Sequence, residues 1–133
     1  MGQRRKSREL AMQALYYIDM SKEDAETALR LFCKYSDEEA DMDAFFKEIV
    51  EGTIAKKAEI DELIEKFSSN WKLSRMSGTD RNVIRISVFE ILFCPDIPST
   101  VAINEAIDIG KKYGTKDSGA FINGILDAIS QNI

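Results

Sequence analysis

Four cations crowd the first eight residues: Arg4, Arg5, Lys6 and Arg8. On a helical wheel Arg5, Glu9, Met12 and Tyr16 point away from an apolar stripe of Leu10, Ala11, Ala14, Leu15 and Ile18, and Lys6, Arg8 and Gln13 flank them. Cationic groups, one side-chain amide and one aromatic ring on a single side suit single-stranded RNA. The cations neutralise phosphates, Gln13 reads a base edge and Tyr16 stacks on a base. A solvated helix start has the same appearance. Cations at a helix N-terminus oppose the helix dipole, however, which favours a functional reason for placing them there.

Other chemistries lack their residues. The chain has no histidine, so the usual general base and the commonest metal ligand are missing. It has no glycine-rich phosphate loop or dinucleotide-binding turn. Cys33 and Cys94 have neither metal-ligand spacing nor a C-x-x-C pairing, and read as reduced, buried thiols of a cytoplasmic protein. The expectation is a binding protein rather than an enzyme, with no cofactor and no metal. No apolar run reaches the roughly 18 residues of a membrane span, and the basic start lacks the apolar stretch of a secretory signal.

Net charge is −5, but its distribution matters more than its sum. Residues 19–65 hold fifteen acids and six bases, so a basic tip precedes an acidic body. Such asymmetry marks an interaction arm.

The elements that must carry these residues are all helical. A first helix is expected over 4–19. Ser21 and Asp24 resemble a capping box for a second, with Ala25, Ala28, Leu29, Phe32 and Cys33 on its buried face. A third starts near Asp41 and buries Met42, Phe45, Phe46, Ile49, Val50 and Ile54; Gly52 bends it or admits a neighbour. Lys56–Phe67 continues in register, as the same helix or a new one. Ser68-Ser69-Asn70 reads as a turn, after which Trp71 and Leu73 pin the connection to the core. Thr79 is expected to cap a buried central helix over 80–93, apolar around most of its girth, with Arg81, Arg85 and Glu90 as exceptions. Pro95 and Pro98 end it. Ser99 or Thr100 caps the next helix, which closes on Lys111, Lys112 and a left-handed Gly114. The last starts near Asp117 or Ser118 and buries Phe121, Ile122, Ile125, Leu126 and Ile129, and Gly124 marks a close helix approach. The fold class is all-α: one domain, residues 1–133, with about seven helices in two small packed bundles, roughly 1–68 and 69–133.

The segments Arg4–Tyr16, Asp80–Ile86, Val101–Ala106 and Phe121–Asp127, with Gly114 and Asp117-Ser118 between the last two helices, resemble in order and spacing the NusB family of transcription antitermination factors. The likeness spans essentially the whole chain, and over residues 20–70 it is one of pattern. It implies an all-helical RNA-binding protein without catalytic activity. Such a protein binds the boxA element of nascent transcripts, notably of ribosomal RNA operons. It does so as a heterodimer with the small-subunit ribosomal protein NusE, and reaches RNA polymerase through other Nus factors. By resemblance the RNA surface comprises Arg4, Arg5, Lys6, Arg8, Gln13, Tyr16, Asp117 and Phe121. The segment Trp71–Arg85, with Arg75, Arg81 and Arg85, is the expected partner surface, although internal salt bridges would use the same arginines. Ser7 stands where the family often has Ala, and Gly119-Ala120 replaces a commonly more polar pair. Asn104 and Asn123 read equally well as buried amides tying helix ends.

Two further readings stand beside this one. Ribosomal RNA cytosine methyltransferases carry a NusB-like N-terminal domain, and a chain ending at Ile133 without a cofactor-binding domain would be their RNA-docking half. A helical scaffold that forms a homodimer through apolar residues around Phe45 and Phe46 is the other. On the RNA reading, Arg5→Ala and Arg8→Ala should weaken binding and change stability by no more than about 0.5 kcal/mol.

Overall fold

The computed structural model describes residues 2–69 and 71–133; Asn70, the third residue of the expected turn, lies outside them. Seven α-helices form: α1 (Gly2–Met20), α2 (Ala25–Tyr35), α3 (Ala44–Ala55), α4 (Lys57–Phe67), α5 (Gly78–Phe93), α6 (Ser99–Tyr113) and α7 (Ser118–Gln131). Single 3-10 turns, Glu39–Asp41 and Leu73–Arg75, lie in two of the connections. There is no strand among the described residues. None of their helices is long and apolar enough to cross a membrane.

α5 is the axis of the molecule and packs against α1, α3, α4, α6 and α7. Nine consecutive residues, Asn82 to Glu90, are buried, as the all-round apolar pattern predicts for a central helix. One continuous core joins α1, α3, α4, α5, α6 and α7, so the two expected bundles share their interior across the turn near residue 69.

α1 departs from the expectation of a basic arm carried by the core. It is itself a core helix: Leu10, Ala11, Met12, Ala14 and Leu15 are buried, and so are Ser7, Arg8 and Glu9. Met12 therefore joins the apolar stripe instead of opposing it. Ser7 hydroxyl donates to Asp43 Oδ1 at 2.9 Å. Asp43 also caps α3 by accepting from the Phe46 N–H at 2.9 Å, so the serine ties α1 to a helix start.

Several caps lie a few residues from their expected positions. Asp24, not Ser21, caps α2 by accepting from the Thr27 N–H. Ser77, not Thr79, caps α5 by accepting from the Asp80 N–H. α6 begins after Pro98 with no side-chain cap; proline's fixed φ already suits a helix start. α3 and α4 are two helices that break at Lys56. Gly114 ends α6 with φ −99°, outside the left-handed region. Its need for hydrogen is steric, since a Cβ there would stand 2.3 Å from Ser118 Oγ.

Two other glycines separate cleanly. Gly52 faces the Phe89 ring, where an added Cβ would meet Cζ at 2.1 Å. Gly124 is exposed on α7 with open space around it, which corrects the expected close approach. Gly52→Ala should therefore lower stability by about 1–3 kcal/mol through overpacking. Gly124→Ala should raise it by up to about 1 kcal/mol through helix propensity. Chemical denaturation of the two variants reads the opposite signs directly.

Candidate nucleic-acid interface

The basic cluster of α1 is divided among several internal partners. Arg8 is only 4% exposed. Its Nε and Nη2 donate to the two oxygens of Glu90 at 2.9 and 2.7 Å, and Nη1 donates to Glu105 at 3.2 Å. Arg8 thus stands apart from the surface on which the wheel placed it. A lone buried guanidinium is costly, and removing one member of such a pair costs about 3–5 kcal/mol. The expected small folding effect of Arg8→Ala therefore does not hold. Arg5 donates two hydrogen bonds to Glu105, at 2.8 and 2.6 Å, and one to Asp108 at 2.9 Å. Hydrogen bonding from Arg5, then its charge and that of Arg8, hold the Glu105 carboxyl below its ordinary value against the opposing effect of burial. Lys6 pairs with Glu38. Arg4 is exposed and lies 4.5 Å over the Phe45 ring. Phe45 is thus half-buried beneath cations, while Phe46 is fully in the core.

One turn further on, buried Glu9 accepts from Lys112 Nζ at 3.1 Å and from the Tyr113 hydroxyl at 2.9 Å. Burial, then this bond to Glu9, push the Tyr113 phenol up. The bridges 5–105, 9–112 and 9–113 join α1 to α6 through long side chains and follow the same order along both helices.

At the far end of α1, Asp19 gathers the arginines expected to bind a partner. It accepts from Arg81 Nε at 3.0 Å, Asn82 Nδ2 at 3.0 Å and Arg85 Nη1 at 2.9 Å. Arg85 also spans to Asp61 on α4, with two bonds at 2.8 and 3.1 Å. Arg81 donates to the carbonyls of Leu73 and Met76 as well. Arg81 and Arg85 are therefore internal struts. Only Arg75 of the three expected partner arginines is exposed.

Two of the surface clefts flank Gly78, with Thr79 lining one and Ser77 the other. Met12, Gln13, Tyr16, Tyr17, Met20, Thr79 and Tyr113 line the first. Trp71, Arg75, Met76, Ser77, Asp80, Thr115, Asp117 and Phe121 line the second. At Gly78 the Tyr16 ring lies so close that an added Cβ would be 2.4 Å from it. The fold thus brings Gln13 and Tyr16 next to Asp117 and Phe121, about a hundred positions away in sequence. Asp117 precedes α7 with an exposed carboxylate that makes no cap bond, so a capping role does not account for it.

The stretch Lys111-Lys112-Tyr113-Gly114-Thr115-Lys116-Asp117 is exposed throughout and borders both clefts. Sequence reasoning assigned Lys111 and Lys112 to the helix dipole and passed over Tyr113, Thr115 and Lys116. The legible signal was three lysines interleaved with an aromatic and a glycine. Asn104 and Asn123 are exposed, so neither is a buried amide. Among the described residues, no group of three or more His, Cys, Asp or Glu could hold a metal ion.

Comparisons with known proteins agree on one family. The model of the NusB family matches residues 5–131. The transcription antitermination protein NusB of Desulfatibacillum aliphaticivorans is 55% identical, over 97% of this chain and 90% of that one. That of Myxococcus xanthus is 46% identical, over 98% and 96%. Among solved structures, T. maritima NusB superposes with a TM-score of 0.83 at 39% identity, over 97% of this chain and 91% of that one. The NusB of a crystal structure of the antitermination factors NusB and NusE in complex with dsRNA superposes with a TM-score of 0.83 at 26% identity, over 100% and 99%. The chain belongs to the NusB family and is a non-enzymatic transcription antitermination protein.

The charge networks give stability a pH signature. Burial raises the Asp19 carboxyl, but the Asn82 hydrogen bond and the charges of Arg85 and Arg81 outweigh it, and the group sits below its ordinary 3.8. Glu105 sits below its ordinary 4.5. A carboxylate depressed in the folded state adds stability above its unfolded value, and that stability is lost as pH falls through the folded value. Melting temperature should be flat from neutrality to about pH 5 and fall steeply below about pH 4. Asp19→Asn should lower the plateau and make the acid limb shallower, which a series of thermal melts measures.

Proposed function

We propose that this NusB-family chain binds the boxA element of nascent transcripts, notably ribosomal RNA, as a heterodimer with the ribosomal protein NusE. Through that complex it joins other Nus factors on RNA polymerase in the cytoplasm. The observation that carries the reading is the adjacency of two chemically different clefts. One is lined mainly by aromatic rings and methionines, and the other adds hydroxyls and carboxylates to its aromatic rings and is bordered by lysines. The aromatic and methionine lining of the first suits a protein partner, since interfaces are enriched in those types. The hydroxyls, carboxylate, aromatics and cations of the second suit single-stranded RNA. A relative of the same fold has been crystallised with NusE and dsRNA, which supports a protein and an RNA as the two partners.

On this reading Gln13, Asp117 and Phe121 contact bases, and Tyr16 lies on the seam where RNA and NusE meet. Phosphate neutralisation falls to Arg4, Lys6, Lys112 and Lys116. Arg5 contributes partially, and Arg8 acts from the interior. The exposed Lys6–Glu38 pair is worth about 0–1 kcal/mol and opens readily for phosphate, whereas Lys112 stays bonded to buried Glu9 and meets phosphate from the exposed side of its ammonium. Tyr16, Tyr17 and Met20 are exposed, and a homodimer covering them would hide the same face. RNA and NusE would then have to displace it.

Fluorescence anisotropy with a boxA RNA and a scrambled control, each with and without NusE, tests the reading. The expected outcome is preference for boxA that NusE strengthens. About four neutralised phosphates give a slope of log K against log salt near −3, from roughly 0.7 per contact on a single strand. Equal binding of the two RNAs in both conditions would overturn it.

A further inference from the structure

Trp71 is the only tryptophan in the chain, and it is 52% exposed. The expectation that it pins the connection into the core is met by Leu73, which is buried, and not by Trp71. The indole instead packs on Phe121 in a T-shaped pair, with ring centroids 5.8 Å apart and planes at 74°. Both rings line the second cleft, whose volume is about 320 Å³.

The backbone holds the indole in this position from both sides. The Trp71 N–H donates to the Ser68 carbonyl at 3.1 Å. The buried Ser68 hydroxyl donates back to the Trp71 carbonyl. Ser69, with φ 58°, is the one non-glycine residue with positive φ among the described residues. Left-handed conformations of such residues are strained, and they concentrate at functional sites. An exposed indole whose own backbone N–H and carbonyl are both hydrogen-bonded to Ser68 is held ready for contact.

The surroundings indicate what it contacts. Lys72 and Arg75 are exposed on the same turn, and neither forms an ion pair among the described residues. Ser77 and Thr115 hydroxyls and the Asp80 and Asp117 carboxylates line the same cleft. Asp80 Oδ1 is buried there without a hydrogen-bond partner. An aromatic face flanked by unpaired cations is the arrangement that holds single-stranded nucleic acid. Acceptors beyond the ring suit the amino and imino hydrogens of a base edge.

We infer that Trp71 is an RNA-binding residue: one unstacked nucleobase lies on its exposed indole face beside Phe121, and Arg75 meets the adjacent phosphate. The inference rests on the RNA reading above and adds to it a residue and a subsite.

The sole tryptophan makes the test direct. The full chain with NusE is titrated with boxA RNA while tryptophan emission and RNA anisotropy are followed together. The RNA should quench Trp71 over the same concentrations at which anisotropy rises. Trp71→Ala should weaken binding at least about fivefold, the lower end of a stacked base. Trp71→Phe should recover most of that affinity. The salt slope should stay unchanged in Trp71→Ala and become shallower by about 0.7 in Arg75→Ala, since only the second loses a phosphate contact. The wild-type emission needs no variant to fold, so the test survives an unstable mutant. Anisotropy that rises without quenching, with Trp71→Ala binding as wild type does, would overturn the inference and leave the RNA reading standing. Emission that answers to NusE alone would assign the indole to the protein partner. Failure of wild type to bind either RNA would overturn both.

Discussion

Arg8 and Glu90 meet in the interior through two parallel hydrogen bonds, and the rest of the molecule is arranged around that contact. Neither charge could be buried alone. Together, with Glu105 as a second acceptor, they fix the height of α1 against α5 and α6. Asp19 performs the same service eleven residues later through Arg81, Asn82 and Arg85. The pairs 8–90 and 19–81 run in opposite directions along the two helices, so α1 is antiparallel to α5 and held at both ends. With two polar clamps and an apolar stripe between them, α1 has one rotation and one register available. Gln13 and Tyr16 then face outward because every alternative would bury an unpaired charge.

This constraint changes how the basic N-terminus works. Four cations in sequence look like a phosphate-binding patch. In the fold one is buried, one is bound to two carboxylates, one is paired with Glu38 and one stacks on Phe45. Much of their charge is spent on building the site. On the proposed reading, specific contacts come from residues that α1 places beside the α6–α7 turn and the start of α5. The Lys111–Asp117 stretch supplies cations that the acidic body leaves exposed. A net charge of −5 is thus compatible with an RNA face, because fifteen of the 23 acids lie in residues 19–65 and none of those fifteen lines either cleft.

The helices themselves were legible because their signals are local. Apolar spacing found the seven elements, and all-round apolarity marked α5 as the axis. Cap positions slipped by two or three residues, since several hydroxyls and carboxylates near each helix start compete for the same N–H groups. The orientation of α1 was not legible. A helical wheel counts every arginine as outward, and whether Arg8 is buried depends on an acid 82 positions away. Arg81 and Arg85 escaped for the same reason, their partners being Asp19 and Asp61. Glu90 stood out as a polar exception on an apolar helix, and that exception was the available clue to a buried ion pair. The resemblance in the Arg4–Tyr16 and Phe121–Asp127 segments pointed to Gln13, Tyr16 and Phe121, which the fold sets along the two clefts. That Lys112, Tyr113 and Trp71 border it follows only from the packing of α6, α7 and the turn before α5.

The central claim is that Arg8 builds the RNA face from within and does not touch RNA. The direct measurement is the boxA RNA affinity and salt slope of a chain in which Arg8 and Glu90 are both replaced by methionine, with NusE present. A buried pair exchanged for apolar side chains of similar size often leaves stability unchanged or improved. The double variant should fold cooperatively, bind boxA RNA within about threefold of wild type and keep the wild-type salt slope. A folded double variant that loses about tenfold or more in affinity, with a slope shallower by about 0.7, would show Arg8 to be a phosphate contact and would contradict this account.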